Sequence, residues 1–210
     1  MQNNLYQNKY RISTTRAAWH NYNGGTYFVT ICTKGREHYF GEIVNGMGRD
    51  TSAHNVSTTG PTMILSEIGH YVNEQFRNIQ DHYPYAEIPL WVVMPNHVHA
   101  VVIIDGKKEP HNVDRVIVET LHATSLQQRG TSIQGKKEQM SKISPKSGTL
   151  ATIIRGLKSA TTCYANQHNI PFAWQPRFHE HIVRNTDDMN AIAEYIENNV
   201  AQWEYDKFFG

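Results

Sequence analysis

The chain has 210 residues, 39% of them hydrophobic and 19% charged, which fits a folded globular protein and excludes global disorder. Lys and Arg number 20 against 19 Asp and Glu, so the net charge of +1 advertises no nucleic-acid partner, and any basic surface must be local. The length suggests a single domain over residues 1–210, with loop insertions at about 45–61 and 105–148.

Cys32 and Cys163 lie far apart, one in a strand-like run and one in a helix-like run, so neither a disulfide framework nor a paired-cysteine zinc site is expected. Met1-Gln2-Asn3-Asn4-Leu5 lacks the basic-then-apolar layout of a signal peptide, and no apolar run reaches the length of a membrane span. The expected compartment is the cytosol, with no membrane partner.

Residues 1–23 are polar with scattered aromatics, and Arg11, Arg16, Trp19 and Tyr22 could form an arm. After the turn signal Asn23-Gly24-Gly25 comes Thr26-Tyr27-Phe28-Val29-Thr30-Ile31-Cys32, whose β-branched and aromatic residues predict a first strand. Lys34-Gly35-Arg36 then turns the chain into Tyr39–Val44, read as a short second hairpin arm. Gly46, Gly48, Gly60 and Pro61 among Ser, Thr and Asn mark residues 45–61 as a loop.

From Ile64 to Ile79, Ile64, Leu65, Ile68, Val72, Phe76 and Ile79 recur at three- and four-residue spacing, the pattern of an amphipathic helix. Ile88 to Val93 reads as a strand, and Met94-Pro95-Asn96 joins it tightly to His97-Val98-His99-Ala100-Val101-Val102-Ile103-Ile104, so the two should pair antiparallel. Residues 105–148 are mostly polar and carry Lys107, Lys108, Arg115, Arg129, Lys136, Lys137, Lys142 and Lys146. A loop this long is either a solvated insertion or a contact for a phosphate backbone.

Leu150 to Tyr164 is helical in pattern, with Asn169 and Pro171 ending it. Phe172 to Arg184 reads as a turn followed by a last strand. Thr186 is expected to cap a final helix, with Asp187 and Asp188 in its first turn, where carboxylates favour the helix dipole. The element order is strand, helix, strand, strand, helix, strand, helix. Its first six elements are the split βαβ arrangement, so the fold class is α+β: a ferredoxin-like antiparallel sheet with packed helices.

Chemistry concentrates in two places. Side chains two apart on a strand share a face, so His97 and His99 stand side by side while Val98 faces the opposite way, into a core. Paired imidazoles on a rigid strand suit a divalent metal; the alternative is two hydrogen-bonded histidines at a strand start. On the last helix, Tyr195 and Asn199 lie one turn apart along an edge of the apolar stripe Met189, Ile192, Ile196 and Val200. A tyrosine there could be a nucleophile and an asparagine could offer its carbonyl oxygen to a hard metal, although a helix-edge tyrosine is more often a packing residue. His179-Glu180-His181 is a second, poorer pair, because its middle residue is charged and would face the core.

Four stretches together carry a family likeness: Met94-Pro95-Asn96-His97-Val98-His99, Trp174-Gln175-Pro176-Arg177-Phe178, His181-Ile182-Val183-Arg184-Asn185 and Glu194-Tyr195-Ile196-Glu197-Asn198-Asn199. In this order they resemble the single-tyrosine HUH transposases, and among them the REP-associated tyrosine transposases. The likeness runs from about Gly24 to Asp206, apart from the two insertions.

The resemblance implies an HUH nuclease fold in which the final helix carries the tyrosine. His97 and His99 match the HUH pair, Tyr195 the nucleophile and Asn199 the third metal-ligand position; the ion is Mg²⁺ or Mn²⁺. It implies cleavage and rejoining of single-stranded DNA at hairpin or palindromic sequences through a 5′-phosphotyrosine, by a monomer or a homodimer. The setting would be a bacterial cytoplasm, at the nucleoid when DNA is bound. A free tyrosine ionises near pH ~10, so a base must assist it, and the sequence does not name one. Arg155, Lys158, Trp174, Arg177 and Arg184 are candidates for DNA contact by phosphate pairing and stacking, and His181 for support of the site. The rivals are a catalytically retired hairpin-binding protein and an HUH nuclease of replication or plasmid transfer.

Overall fold

The computed structural model describes residues 24–45, 60–108 and 148–209. The expected N-terminal arm and most of both predicted insertions lie outside the described residues.

Four strands form the main sheet: β1 (Gly25–Cys32), β4 (Ala86–Met94), β5 (His97–Ile104) and β6 (His179–Ile182), in the order β4-β5-β1-β6 with every neighbour antiparallel. Between β1 and β4 come β2 (Gly41–Asn45), β3 (Pro61–Leu65), α1 (Glu67–Arg77) and the short α2 (Ile79–His82). Helix α3 (Leu150–Gln167) precedes β6, and α4 (Thr186–Asn198) follows it. With β2 and β3 set aside, this is the ferredoxin-like βαββαβ path followed by a terminal helix, as expected from the element order.

Strand alternation divides the sheet into two faces. Tyr27, Val29, Ile31, Val98, Ala100, Val102 and Ile104 point to the side covered by α1 and α3, where they pack with Ile68, Val72, Phe76, Leu150, Ile153, Ile154 and Leu157. The opposite face is covered by α4, whose Ile192 and Ile196 bury against Val101 with Phe28, Leu90 and Tyr195 around them. Because helices cover both faces, β5 is buried along nearly its whole length. His97 and His99 therefore lie under α4 and the chain that follows it.

Three local expectations are corrected. The helix does not begin at Ile64: Ile64 and Leu65 belong to β3, and the Ser66 side chain caps α1 by accepting from the Gly69 amide at 3.1 Å. Residues 41–45 do not form a hairpin with β1; they pair with β3 in a separate two-stranded sheet, Gly41 opposite Leu65. Gly41 makes this approach possible, since at φ +136° a Cβ would run into the Ile64 carbonyl oxygen. The cap of α4 is Asn185, whose side chain accepts from the Asp188 amide at 2.8 Å, and Thr186 is the first helical residue.

Candidate metal centre and its tyrosine

The site assembles where β5 starts, under the end of α4 and the segment behind it. Both imidazoles are fully buried, with ring centres 4.4 Å apart. Each uses Nδ1 for a protein partner: His97 meets Asn96 Oδ1 at 2.8 Å, and His99 meets Thr30 Oγ1, directly across on β1, at 2.9 Å. This leaves both Nε2 atoms for the site. Burial lowers the His97 pKa from 6.5 to about 4 and that of His99 to about 2, so both rings are neutral at physiological pH and carry lone pairs.

Tyr195 reaches in from α4. Its hydroxyl lies 3.1 Å from His99 Nε2 and donates to Asp206 Oδ2 at 2.8 Å. Phe28 holds the two aromatic groups together, stacked on His99 with ring centres 5.2 Å apart and edge-on to Tyr195. Burial first, then the hydrogen bond and charge of Asp206, push the Tyr195 pKa well above its ordinary value. A tyrosine in this setting keeps its proton until something removes it.

Asn199 is buried, and its Nδ2 donates to Asp206 Oδ2 at 2.8 Å. A carboxylate only accepts, so this contact fixes the amide orientation and turns Oδ1 away from Asp206. Asn199 Oδ1 and His97 Nε2 are both buried without a hydrogen-bond partner. Leaving such an atom unmet costs about 1–3 kcal/mol, a reason to expect that a ligand fills the space.

Asp206 was not anticipated. The chain turns back after α4 through a single helical turn, Trp203–Tyr205, and carries the Asp206 carboxylate to the histidines. One ligand atom from each of His97, His99 and Asp206 falls within 4.8 Å of the others. Burial raises the Asp206 pKa, but the Phe208 amide, the Asn199 amide, the Tyr195 hydroxyl and the proximity of His97 outweigh it and hold the carboxyl below its usual range. Two neutral imidazoles and an ionised carboxylate form a donor set for a divalent cation, so this cluster is a candidate metal centre. The tail also roofs it: Phe208 lies with its ring centre 4.7 Å from His97 and 5.7 Å from His99. The only signal in the sequence was an acidic residue seven positions after Asn199.

Over 187 residues the chain is 33% identical to an uncharacterized protein of Haemophilus influenzae, an alignment covering 88% of this chain and 85% of that protein. The two belong to one family. No protein-family profile matches the chain. Among solved structures it is distantly similar to a REP-associated tyrosine transposase bound to a REP hairpin, with a TM-score of 0.48 and 19% identity over 93% of this chain and 77% of that one.

In this family member the remaining candidates are spread around the site. His181 lies opposite Phe28 on β6, on the α4 face, and its Nε2 meets both carboxylate oxygens of Asp188 at 2.9–3.0 Å, tying β6 to the first turn of α4. Glu180 lies opposite Val29 and so turns towards the α1–α3 side, as its place in the pair predicts. Arg177 and Arg184 are exposed, while Arg155 is half-buried on α3.

Lys158 is placed differently from a free phosphate contact. Its ammonium donates to the carbonyls of Gln175 at 2.6 Å and Arg177 at 2.8 Å, and burial lowers its pKa to about 8. It clamps the loop that follows α3. Trp174 is half-buried, donates to the Lys158 carbonyl at 3.2 Å and packs on Phe40 and Phe172. Together with Ser159, Thr162 and Pro176, Lys158 and Trp174 line an open groove. Among the described residues, no helix is long and apolar enough to cross a membrane.

Proposed function

We propose that the protein is a metal-dependent, HUH-type DNA nuclease and strand transferase of the REP-associated tyrosine transposase kind. The observation that carries this reading is the meeting of Tyr195 with His99 and Asp206 at hydrogen-bond distance, beside a buried His97 Nε2 that has no partner. His97, His99 and Asp206 would hold the cation, with the Asn199 carbonyl oxygen as a further donor. The mixture of nitrogen and oxygen donors suits Mn²⁺ better than Mg²⁺, which prefers an all-oxygen shell. When bound, the cation supplies Lewis-acid polarisation of the scissile phosphate.

The protein's own part follows from the geometry. Tyr195 Oη is the nucleophile, and Asp206 Oδ2 is the acceptor for its proton. As the Tyr195 O–P bond forms, the bond from phosphorus to the 3′-oxygen breaks, and that oxygen leaves as a 3′-hydroxyl after taking a proton. One phosphodiester is exchanged for another, so the same hydroxyl can attack the 5′-phosphotyrosine and rejoin the strand. Phe28, stacked on His99 and edge-on to Tyr195, keeps the nucleophile aligned without itself reacting.

Hairpin or single-stranded DNA is the proposed partner, with exposed Arg177 and Arg184 pairing with phosphates, Arg155 contributing from α3, and the Trp174 groove accepting a base. Lys158 would act by holding that groove in shape. The test is incubation with end-labelled hairpin DNA and Mn²⁺, followed by denaturing electrophoresis. The reading predicts a covalent protein–DNA adduct that a chelator abolishes; a metal-independent adduct would refute the role given to the cation.

A further inference from the structure

We propose that Asn96 is a positioning residue that holds His97 in the tautomer with its proton on Nδ1 and Nε2 bare towards the site. The use made of that bare nitrogen rests on the metal-centre reading above; the tautomer itself does not.

Asn96 is 1% exposed, in the two-residue turn between β4 and β5. Its side-chain nitrogen donates to two backbone carbonyls, Arg36 at 3.2 Å and Phe208 at 2.9 Å. Carbonyls only accept, so the amide can sit in one orientation alone, with Oδ1 turned to His97 Nδ1 at 2.8 Å. An amide oxygen cannot donate. The ring nitrogen must therefore carry the proton, and a neutral imidazole has only one to give. Nε2 is left as a lone pair, and it is the His97 nitrogen buried without a partner.

The main chain of Asn96 is anchored as well, its carbonyl accepting from the Thr33 amide at 2.9 Å and the Thr33 hydroxyl at 3.0 Å. The residue thus ties together the turn after β1, the start of β5 and the C-terminal segment. His99 shows what an unset ring looks like. Tyr195 gives its proton to Asp206, so its oxygen accepts from His99 Nε2–H, and His99 Nδ1 then accepts from Thr30. Both partners of His99 are hydroxyls, which can each donate or accept, so its tautomer follows the way they turn, and ligation through Nε2 takes the one in which Nδ1 donates to Thr30. The amide at Asn96 cannot turn, so the tautomer of His97 is set. Ligation through Nε2 requires the tautomer that Asn96 enforces, and the partner of a ligand's second ring nitrogen governs its orientation and basicity.

The experiment uses the full chain, ¹⁵N-labelled at histidine and free of metal at neutral pH, with long-range proton–nitrogen correlation to read which ring nitrogen is protonated. The wild type should show His97 protonated on Nδ1. Asn96→Leu should shift proton population to Nε2 and weaken Mn²⁺ binding by about 10–100-fold, while Asn96→Asp, whose carboxylate oxygens only accept, should keep Nδ1 protonated. A wild-type His97 protonated on Nε2 overturns the proposal whatever the variants do. So does a folded Asn96→Leu protein with an unchanged tautomer and a Mn²⁺ affinity within roughly twofold of wild type. If Asn96→Leu does not fold, the wild-type spectrum and Asn96→Asp decide. A wild type protonated on Nδ1 that binds no Mn²⁺ upholds the tautomer and refutes the metal centre.

Discussion

Tyr195 donates its hydroxyl proton to Asp206, eleven residues further along the chain and 2.8 Å away. That bond joins the tyrosine to the candidate metal centre of His97, His99 and Asp206 and gives the proposed nucleophile both its restraint and its proposed proton acceptor.

Replacing Asp206 by asparagine removes the charge and keeps the shape. Mn²⁺ affinity should fall by at least ~10-fold, measured by calorimetry. The Tyr195 pKa should move down towards its ordinary value, since the carboxylate raises it, yet remain elevated because burial is the larger cause. A ¹³C titration of the Tyr195 ring follows this. An unchanged Mn²⁺ isotherm would remove Asp206 from the centre.

The buried histidines make the metal-free protein acid-sensitive. Their folded pKa values, about 4 and about 2, lie below the unfolded 6.5, so the unfolded chain takes up protons first as the pH falls. Their contribution to stability is whole above pH 6.5 and declines as pH drops towards 4, by up to about 1.4 kcal/mol per pH unit for each ring. Urea midpoints at stepped pH should show this slope, and His97→Gln should reduce it. A midpoint flat between pH 6.5 and 4 would mean the rings are not neutral in the fold.

The paired histidines, their strand and the ferredoxin-like order were legible because they depend on local pattern: period-two alternation, two tight turns and two amphipathic helices. The placing of Tyr195 and Asn199 one helical turn apart, where both meet Asp206, was legible in its helical half for the same reason. Asp206 was not. Its place depends on a chain reversal after Asn199 and on Asn96 Nδ2 meeting the Phe208 carbonyl, a pairing 112 residues apart that no local pattern encodes. Ile64 misled because four-residue spacing to Ile68 imitates a helix face, whereas its pairing in β3 with Glu42 of β2 determines its state. The surroundings of Lys158 were not legible either, because the carbonyls of Gln175 and Arg177 that its ammonium meets lie 17 and 19 residues further along the chain.

That clamp predicts a difference in salt dependence. Alanine at Arg177 or Arg184 should reduce the slope of log affinity for hairpin DNA against log salt by roughly 0.7–0.9 for each phosphate the side chain had neutralised. Lys158→Met should weaken binding by loosening the loop and leave the slope unchanged. Equal slope changes in all three would place Lys158 on a phosphate.

Gly156, on the face of the sheet away from the site, separates stability from chemistry. A Cβ there would collide with the Tyr83 hydroxyl, so Gly156→Ala should destabilise the protein by about 1–3 kcal/mol, read from urea unfolding. Adduct formation per folded molecule should stay at the wild-type level. A selective loss of adduct formation would tie the packing of α3 on Tyr83 to the reaction itself.

The most direct measurement is the identity of the residue that carries the DNA. Adduct formed with labelled hairpin and Mn²⁺ is digested, and the nucleotide-bearing peptide is sequenced by mass spectrometry. The account predicts a 5′-phosphodiester on Tyr195, with Tyr195→Phe lowering adduct yield by more than ~10³-fold. A nucleotide attached to another residue, or full yield from Tyr195→Phe, would contradict it.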